Sequence, residues 1–282
     1  MYRALPRQLY SIADGAKRFC REQWGISSGR IQVEKPIIPD INFVTTLHAA
    51  GRDFHWLCIE VSESPYYPAL DTFVLECKNK VLPVKLYVAV PQVETGTFKV
   101  DLARARSNGV GVIEISDVKM SIIQEALPLS LTGVRAPTPG EFPAKYRQAV
   151  AEAVSTFRSG NPAKGCAVLY DELEALTRSI AEKATKRNFW RGAAPSLSGM
   201  VPWAKLVKGL MDNFDPVKSN CPDLKTALFA RVLGMTPQRN EVSHKPKNIR
   251  ELMKRDSQLR TRFESISDLL KDLITASKTL RV

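Results

Sequence analysis

The chain has 282 residues, 44% of them hydrophobic and 25% charged, so it can bury sizeable cores and does not read as disordered. Its five cysteines are odd in number and form no CxxC, which argues against a disulfide framework or a Cys-rich zinc site and fits a reducing cytoplasm. No apolar run approaches the roughly 18–20 residues of a membrane span, and the opening MYRALPRQLYSIADG has no continuous apolar stretch, so neither a membrane helix nor a signal peptide is expected.

The net charge of +12 is unevenly spread. Residues 1–142 carry 16 Lys and Arg against 15 Asp and Glu, whereas residues 143–282 carry 25 against 14. A polyanion is the natural partner of the second half. The length suggests two domains at roughly 100–200 residues each.

In chain order, segment 1–25 is expected to supply a leading helix. IIPDINFVTTL (37–47) reads as a strand, HAAGRDFH (48–55) as a turn and WLCIEVS (56–62) as a second strand. SPYYPALDTFVLECKNK has helical spacing at Leu70, Phe73, Val74 and Cys77. KLYVAV is a nearly continuous apolar run, as in a central strand. KVDLARARSNG reads as a helix closed by Gly109, and VGVIEI as the next strand. This ββαβαβ order predicts an α/β domain with a mixed sheet over 1–127.

Four prolines and two glycines in PLSLTGVRAPTPGEFPA mark a Pro-rich linker at 128–143. From 144 to 282 the pattern is helical. Tyr146, Val150, Ala153 and Phe157 share one face, and Asn161-Pro162 opens a helix carrying Leu169, Leu173, Leu176 and Ile180. WAKLVKGLM and CPDLKTALFARVL are further helices. The last helix keeps a 3–4 alternation at Ile249, Leu252, Leu259, Phe263, Ile266, Leu270 and Leu273, interrupted by Asp256. That seam suits either a bundle core or a dimer interface. The expected fold is thus α/β followed by an all-α bundle.

Three groups of residues carry chemistry. The first is Pro39-Asp40 at the start of one expected strand with Glu60 in the next, a hairpin that could bring two carboxylates together as hard ligands for Mg²⁺. This layout over about 31–116 resembles the PD-(D/E)XK, or restriction-endonuclease-like, superfamily. That pattern ends in acid-x-lysine, and Ser62 stands where the lysine is expected. Serine supplies no fixed positive charge. Lys78 or Lys85 would have to substitute from another element. The literal Glu76-Cys77-Lys78 string falls on the expected helix, where i and i+2 do not share a face. The resemblance implies a degenerate nuclease site at Asp40, Glu60 and Ser62, with Mg²⁺ as cofactor only if it works.

The second group is TPQRNEVSHKP, 236–246. Thr236 suits an N-cap, Pro237 the first helical position, and Pro246 a stop. Asn240 and His244 are i and i+4 and so share a face, and Arg239 lies near the helix start, where the dipole favours phosphate. The segment sits in the basic helical half. It resembles the HEPN superfamily, helical bundles whose ribonuclease members carry an arginine, a polar residue and a histidine four to six residues on. The resemblance covers about 145–280 and places Arg239, Asn240 and His244 at the catalytic positions. It further implies a composite site shared by two protomers, and hence a homodimer. The chemistry is coherent without the family. RNA carries its own 2′-OH nucleophile, histidine moves the proton, arginine stabilises the phosphorane oxygens, and asparagine orients the imidazole or donates to a non-bridging oxygen. No metal or other cofactor is required.

The third group is KATKRNFWRG, where Lys183, Lys186, Arg187 and Arg191 surround Phe189 and Trp190. Basic residues interleaved with aromatics suit single-stranded RNA; a basic helix end with a buried Trp accounts for the same pattern. His48 and His55 have no ligand spacing and read as loop residues.

The function expected is a metal-independent endoribonuclease, with the N-terminal domain as a sensor or docking module. RNA is the expected partner and DNA a second candidate, with a defence-system protein partner and an antiviral or toxin-like role suggested by the family resemblance. The alternatives are a Mg²⁺-dependent DNA nuclease using Asp40 and Glu60, or a non-enzymatic nucleic-acid-binding adaptor.

Overall fold

The structure is a computed structural model that describes residues 2–37, 44–51, 53, 55–91, 97–116, 120–192, 194, 201–237 and 246–280. The chain divides into two compact units. The first comprises 1–133, 158–160 and 246–257; the second comprises 134–157, 161–245 and 258–282.

In the first unit, α1 (Tyr10–Glu22) precedes β1 (Gln32–Val33), β2 (Leu47–Ala50) and β3 (Trp56–Val61). Then come α2 (Ala69–Asn79), β4 (Val84–Val90), α3 (Lys99–Asn108), β5 (Gly111–Ile115), β6 (Met120–Gln124) and α4 (Leu129–Thr132). Among the described residues the sheet has six strands, in the order β1-β2-β3-β4-β5-β6. The first three form an antiparallel meander, β3, β4 and β5 run parallel, and β6 returns antiparallel. The expected mixed sheet with helices is therefore present.

Both faces are covered. Alternate residues of the central strands point to opposite sides. Ile59, Val61, Tyr87, Ala89, Ile113 and Ile115 pack with Ala13, Ala16, Phe19 and Cys20 of α1. Cys58, Leu86, Val88, Val90 and Val112 pack with Leu70, Phe73, Val74 and Cys77 of α2, Ala105 of α3 and Leu129 of α4. Burial on both sides explains why β4 reads as an almost unbroken apolar run. Gly109 closes α3 in the left-handed region, at φ 75°, as its sequence position implied.

The first hairpin differs from expectation. His48, Ala49 and Ala50 are strand, not turn, and pair with Cys58, Leu57 and Trp56. The reversal is confined to the stretch after them, closed by the Gly51 N–H donating to the His55 carbonyl at 2.8 Å. His48 is therefore a strand residue rather than a loop residue, whereas His55 stays in the turn; both are buried. Strands β1 and β6 had no counterpart in the expected order. The Pro-rich stretch carries α4, whose Leu129, Ser130 and Leu131 are buried.

The second unit is built from α5 (Ala144–Arg158), α6 (Pro162–Lys186), α7 (Trp203–Asn213), α8 (Thr226–Met235) and α9 (Ile249–Ala276), the last from residue 258 onward. The predicted faces of α5 and α6 are buried. Asn161 caps α6 by accepting from the Lys164 N–H at 3.3 Å. Gly165 permits the α5–α6 approach: a Cβ there would lie 2.8 Å from the Ala153 carbonyl and from Phe157. Leu259, Phe263, Ile266, Leu270 and Leu273 of α9 are buried within this one chain, so that part of the seam serves the core. In the first unit, Leu252 and Asp256 of α9 are buried too, and Ser130 Oγ donates to Asp256 Oδ2 at 2.9 Å. A buried carboxylate held by a hydroxyl explains how the seam tolerates its polar interruption. Among the described residues, no helix is long and apolar enough to cross a membrane.

Candidate functional site

Glu60 lies next to the last residue of β3, beside Val88 of β4, on the face covered by α2 and α3. This is the carboxyl end of the parallel strands, the usual location for ligands in such sheets. The Thr46 N–H donates to Glu60 Oε2 at 3.0 Å. The Tyr67 hydroxyl, just before α2, is also bonded to the carboxyl. Burial pushes Glu60 up to about 7, and its hydrogen bonds to the Thr46 backbone, the Tyr67 hydroxyl and the Thr46 side chain only partly offset it. Burial and the neighbouring Glu60 likewise raise the Tyr67 phenol. Near neutral pH Glu60 is thus divided between its acid and its base form.

Ser62 does not replace the absent lysine. Its N–H donates to the Ala89 carbonyl at 3.0 Å, and its Oγ accepts from the Ser64 N–H at 3.2 Å. The two lysines that could substitute are placed elsewhere. Lys85 is on the opposite face of β4, three residues before the partner of Glu60, with its Nζ 2.7 Å from Asp53 Oδ2. At roughly 3.3 Å per residue that is about 10 Å along the strand. Lys78 is in the last turn of α2, donating to Asn108 Oδ1 at 3.2 Å. Asp40 lies outside the described residues. Among those described, no group of three or more His, Cys, Asp or Glu is placed to hold a metal ion.

Glu60 was singled out in the sequence; its hydrogen-bond partners Tyr67 and Thr46 were not. The YY pair ahead of α2 was the available signal for the first. Nothing local marks Thr46, which meets Glu60 from the bend just before β2.

A pH dependence follows from Glu60. A carboxyl raised from an ordinary 4.5 to about 7 keeps its proton longer in the folded chain than in the unfolded one. Its contribution to stability is complete below about 4.5 and declines as pH rises to about 7, by on the order of 3 kcal/mol at most. Glu60→Gln should flatten the stability profile across that window. Urea unfolding of both proteins between pH 4.5 and 8 measures it; parallel profiles would rule out the raised carboxyl.

In the basic segment, α6 ends at Lys186, and Asn188 turns the chain with φ 53°. The Arg191 N–H donates to the Asn213 carbonyl at 2.8 Å, and Trp190 pairs with Phe214 in a short antiparallel bridge. Trp190 is only 3% exposed, edge-on to Phe214 with ring centres 6.4 Å apart. Its ring belongs to the core and offers no face to a base, which corrects the stacking role expected for it. Phe189 is half-buried. Lys183 Nζ donates to the Leu280 carbonyl at 3.1 Å, a structural contact. Lys186, Arg187 and Arg191 are exposed.

Arg239, Asn240 and His244 lie outside the described residues. Their flanks are described. Thr236 stands at the end of α8, where its N–H and Oγ1 both donate to the Leu233 carbonyl, at 3.2 and 2.9 Å. On the far side, Asn248 caps α9 by accepting from the Glu251 N–H at 3.0 Å, while Glu251 accepts from the Lys247 N–H at 2.8 Å. Comparison with protein-family models, with curated proteins and with solved structures finds no match.

Proposed function

We propose that the protein is a metal-independent endoribonuclease of the HEPN type, acting through Arg239, Asn240 and His244. The observation that carries this reading is the constellation itself, set between α8 and α9 in a helical, strongly basic part of the chain. His244 removes the 2′-OH proton or protonates the leaving 5′-oxygen. Arg239 faces the charge growing on the non-bridging oxygens, and Asn240 orients the imidazole. The products are a 2′,3′-cyclic phosphate and a 5′-OH.

The N-terminal unit serves as a sensor or docking module descended from a PD-(D/E)XK-like nuclease. The placement of Lys78 and Lys85, each engaged away from Glu60, supports a silent rather than a working metal site. A cytoplasmic homodimer with one composite site, in an antiviral or toxin-like system, completes the reading. The test is incubation of the purified protein with mixed RNA and DNA, in EDTA and in Mg²⁺. RNA cut in EDTA is the expected result. DNA cut only in Mg²⁺ would replace this reading with a nuclease centred on Glu60.

A further inference from the structure

We infer that RNA is held along its phosphate backbone by a basic strip formed by Lys186, Arg187 and Arg191 at the end of α6 and by Lys205 and Lys208 on α7. This rests on the ribonuclease reading for the identity of the polyanion, and otherwise on the geometry of the helical unit. All five cations are exposed. The two helices run side by side in the same direction. The Trp203 indole N–H, at the start of α7, donates to the Thr177 hydroxyl in α6 at 2.9 Å. At the other end, Phe214 pairs with Trp190, just beyond α6. Lys205 and Lys208 are i and i+3, on one face of α7, while Leu206, Val207 and Leu210 fill the core beneath. The basic end of α6 and the basic face of α7 are thus parts of one body.

The acids around them are few. Between 183 and 218 they are Asp212 and Asp215. Asp215 is committed to its own turn, accepting from the N–H groups of Val217 and Lys218 at 3.0 and 3.2 Å. Asp212, exposed one turn beyond Lys208, and Glu182, exposed on α6, are the other acids close to these cations in sequence. The buried Trp190 gives the mode of recognition. With that ring in the core, attraction to phosphate rather than base stacking dominates, and binding is largely independent of sequence.

The test compares the wild-type full chain with Lys205→Glu/Lys208→Glu in binding a 2′-O-methylated single-stranded RNA, which lacks the nucleophile and stays uncut, across a salt series. Loss of two phosphate contacts should weaken binding about tenfold and shrink the slope of log K against log salt by about 1.4. The Lys205→Gln/Lys208→Gln pair should shrink the slope equally and serves if the glutamates perturb folding. Wild-type affinity and slope in the variants overturn the strip, as does a loss confined to anionic vesicles or acidic protein. The two readings fail separately. Weakened binding with no cutting of ordinary RNA by the wild type keeps the strip and removes the ribonuclease. Cutting with unaltered binding by the variants does the reverse.

Discussion

On the proposed function, His244→Ala should abolish RNA cleavage while leaving the fold intact. Loss of a general acid or base costs about 10²–10⁴-fold, so residual cutting should sit at or below the detection limit of a gel assay. The segment 236–246 has Val242 as its only aliphatic side chain, so removing the imidazole takes little packing with it. Melting temperature and affinity for uncut RNA should therefore stay close to wild type. Arg239→Ala should fall by a similar factor, because charge stabilisation at the phosphorane is worth a comparable amount. It should also bind RNA more weakly, since a phosphate contact goes with it. Single-turnover cleavage in EDTA separates the two effects. Cutting by His244→Ala at the wild-type rate would remove His244 from the mechanism, and with it the proposed function.

The largest effect on stability is expected in α9. Phe263 is fully buried, and its ring centre lies 4.3 Å from that of Phe157 in α5, inclined by 42°. Phe263→Ala removes the hydrophobic contribution of the ring and leaves a cavity that helices on both sides cannot close. The cost should be about 3–5 kcal/mol. Against a total stability of about 5–15 kcal/mol for ordinary domains, that is a large fraction. Phe263→Leu should recover more than half of it by keeping most of the volume. Urea unfolding followed by circular dichroism gives both numbers. A loss below about 1 kcal/mol for the alanine variant would mean that α9 does not pack through this residue.

The contrast between what the sequence revealed and what it hid has a physical basis. Helix faces were legible because their apolar positions repeat along a single element: Tyr146, Val150, Ala153 and Phe157 of α5 are all buried as expected. The central strand β4 was legible because burial on both faces leaves a run that no loop would carry. The extent of β2 was not, since His48-Ala49-Ala50 has weak strand propensity and is fixed by its pairing with β3. The same holds for Trp190. A basic and aromatic string is compatible with a solvated binding face and with a helix end tucked into a core, and only the bridge to Phe214 decides between them. At Glu60 the acid was visible in the sequence. Its contacts to Thr46 and Tyr67 were not, because these residues arrive from the bend before β2 and the loop before α2, both distant from Glu60 in sequence.

The strand order of the sheet follows the order of synthesis, which shapes how the first unit can assemble on the ribosome. Each strand leaving the exit tunnel finds the preceding one as its neighbour, so no strand waits for a partner not yet translated. Of the two pieces that come after 133, the short 158–160 follows soon and the other arrives late. Residues 246–257 belong to this unit but follow the whole segment from α5 to α8. Met253 from that piece packs on the α2-side cluster, and Asp256 is the acceptor for Ser130. At about 5–20 residues per second, the sheet stands without this cover for on the order of ten seconds. During that interval Ser130 lacks its Asp256 acceptor and the α2-side cluster lacks the cover of Met253.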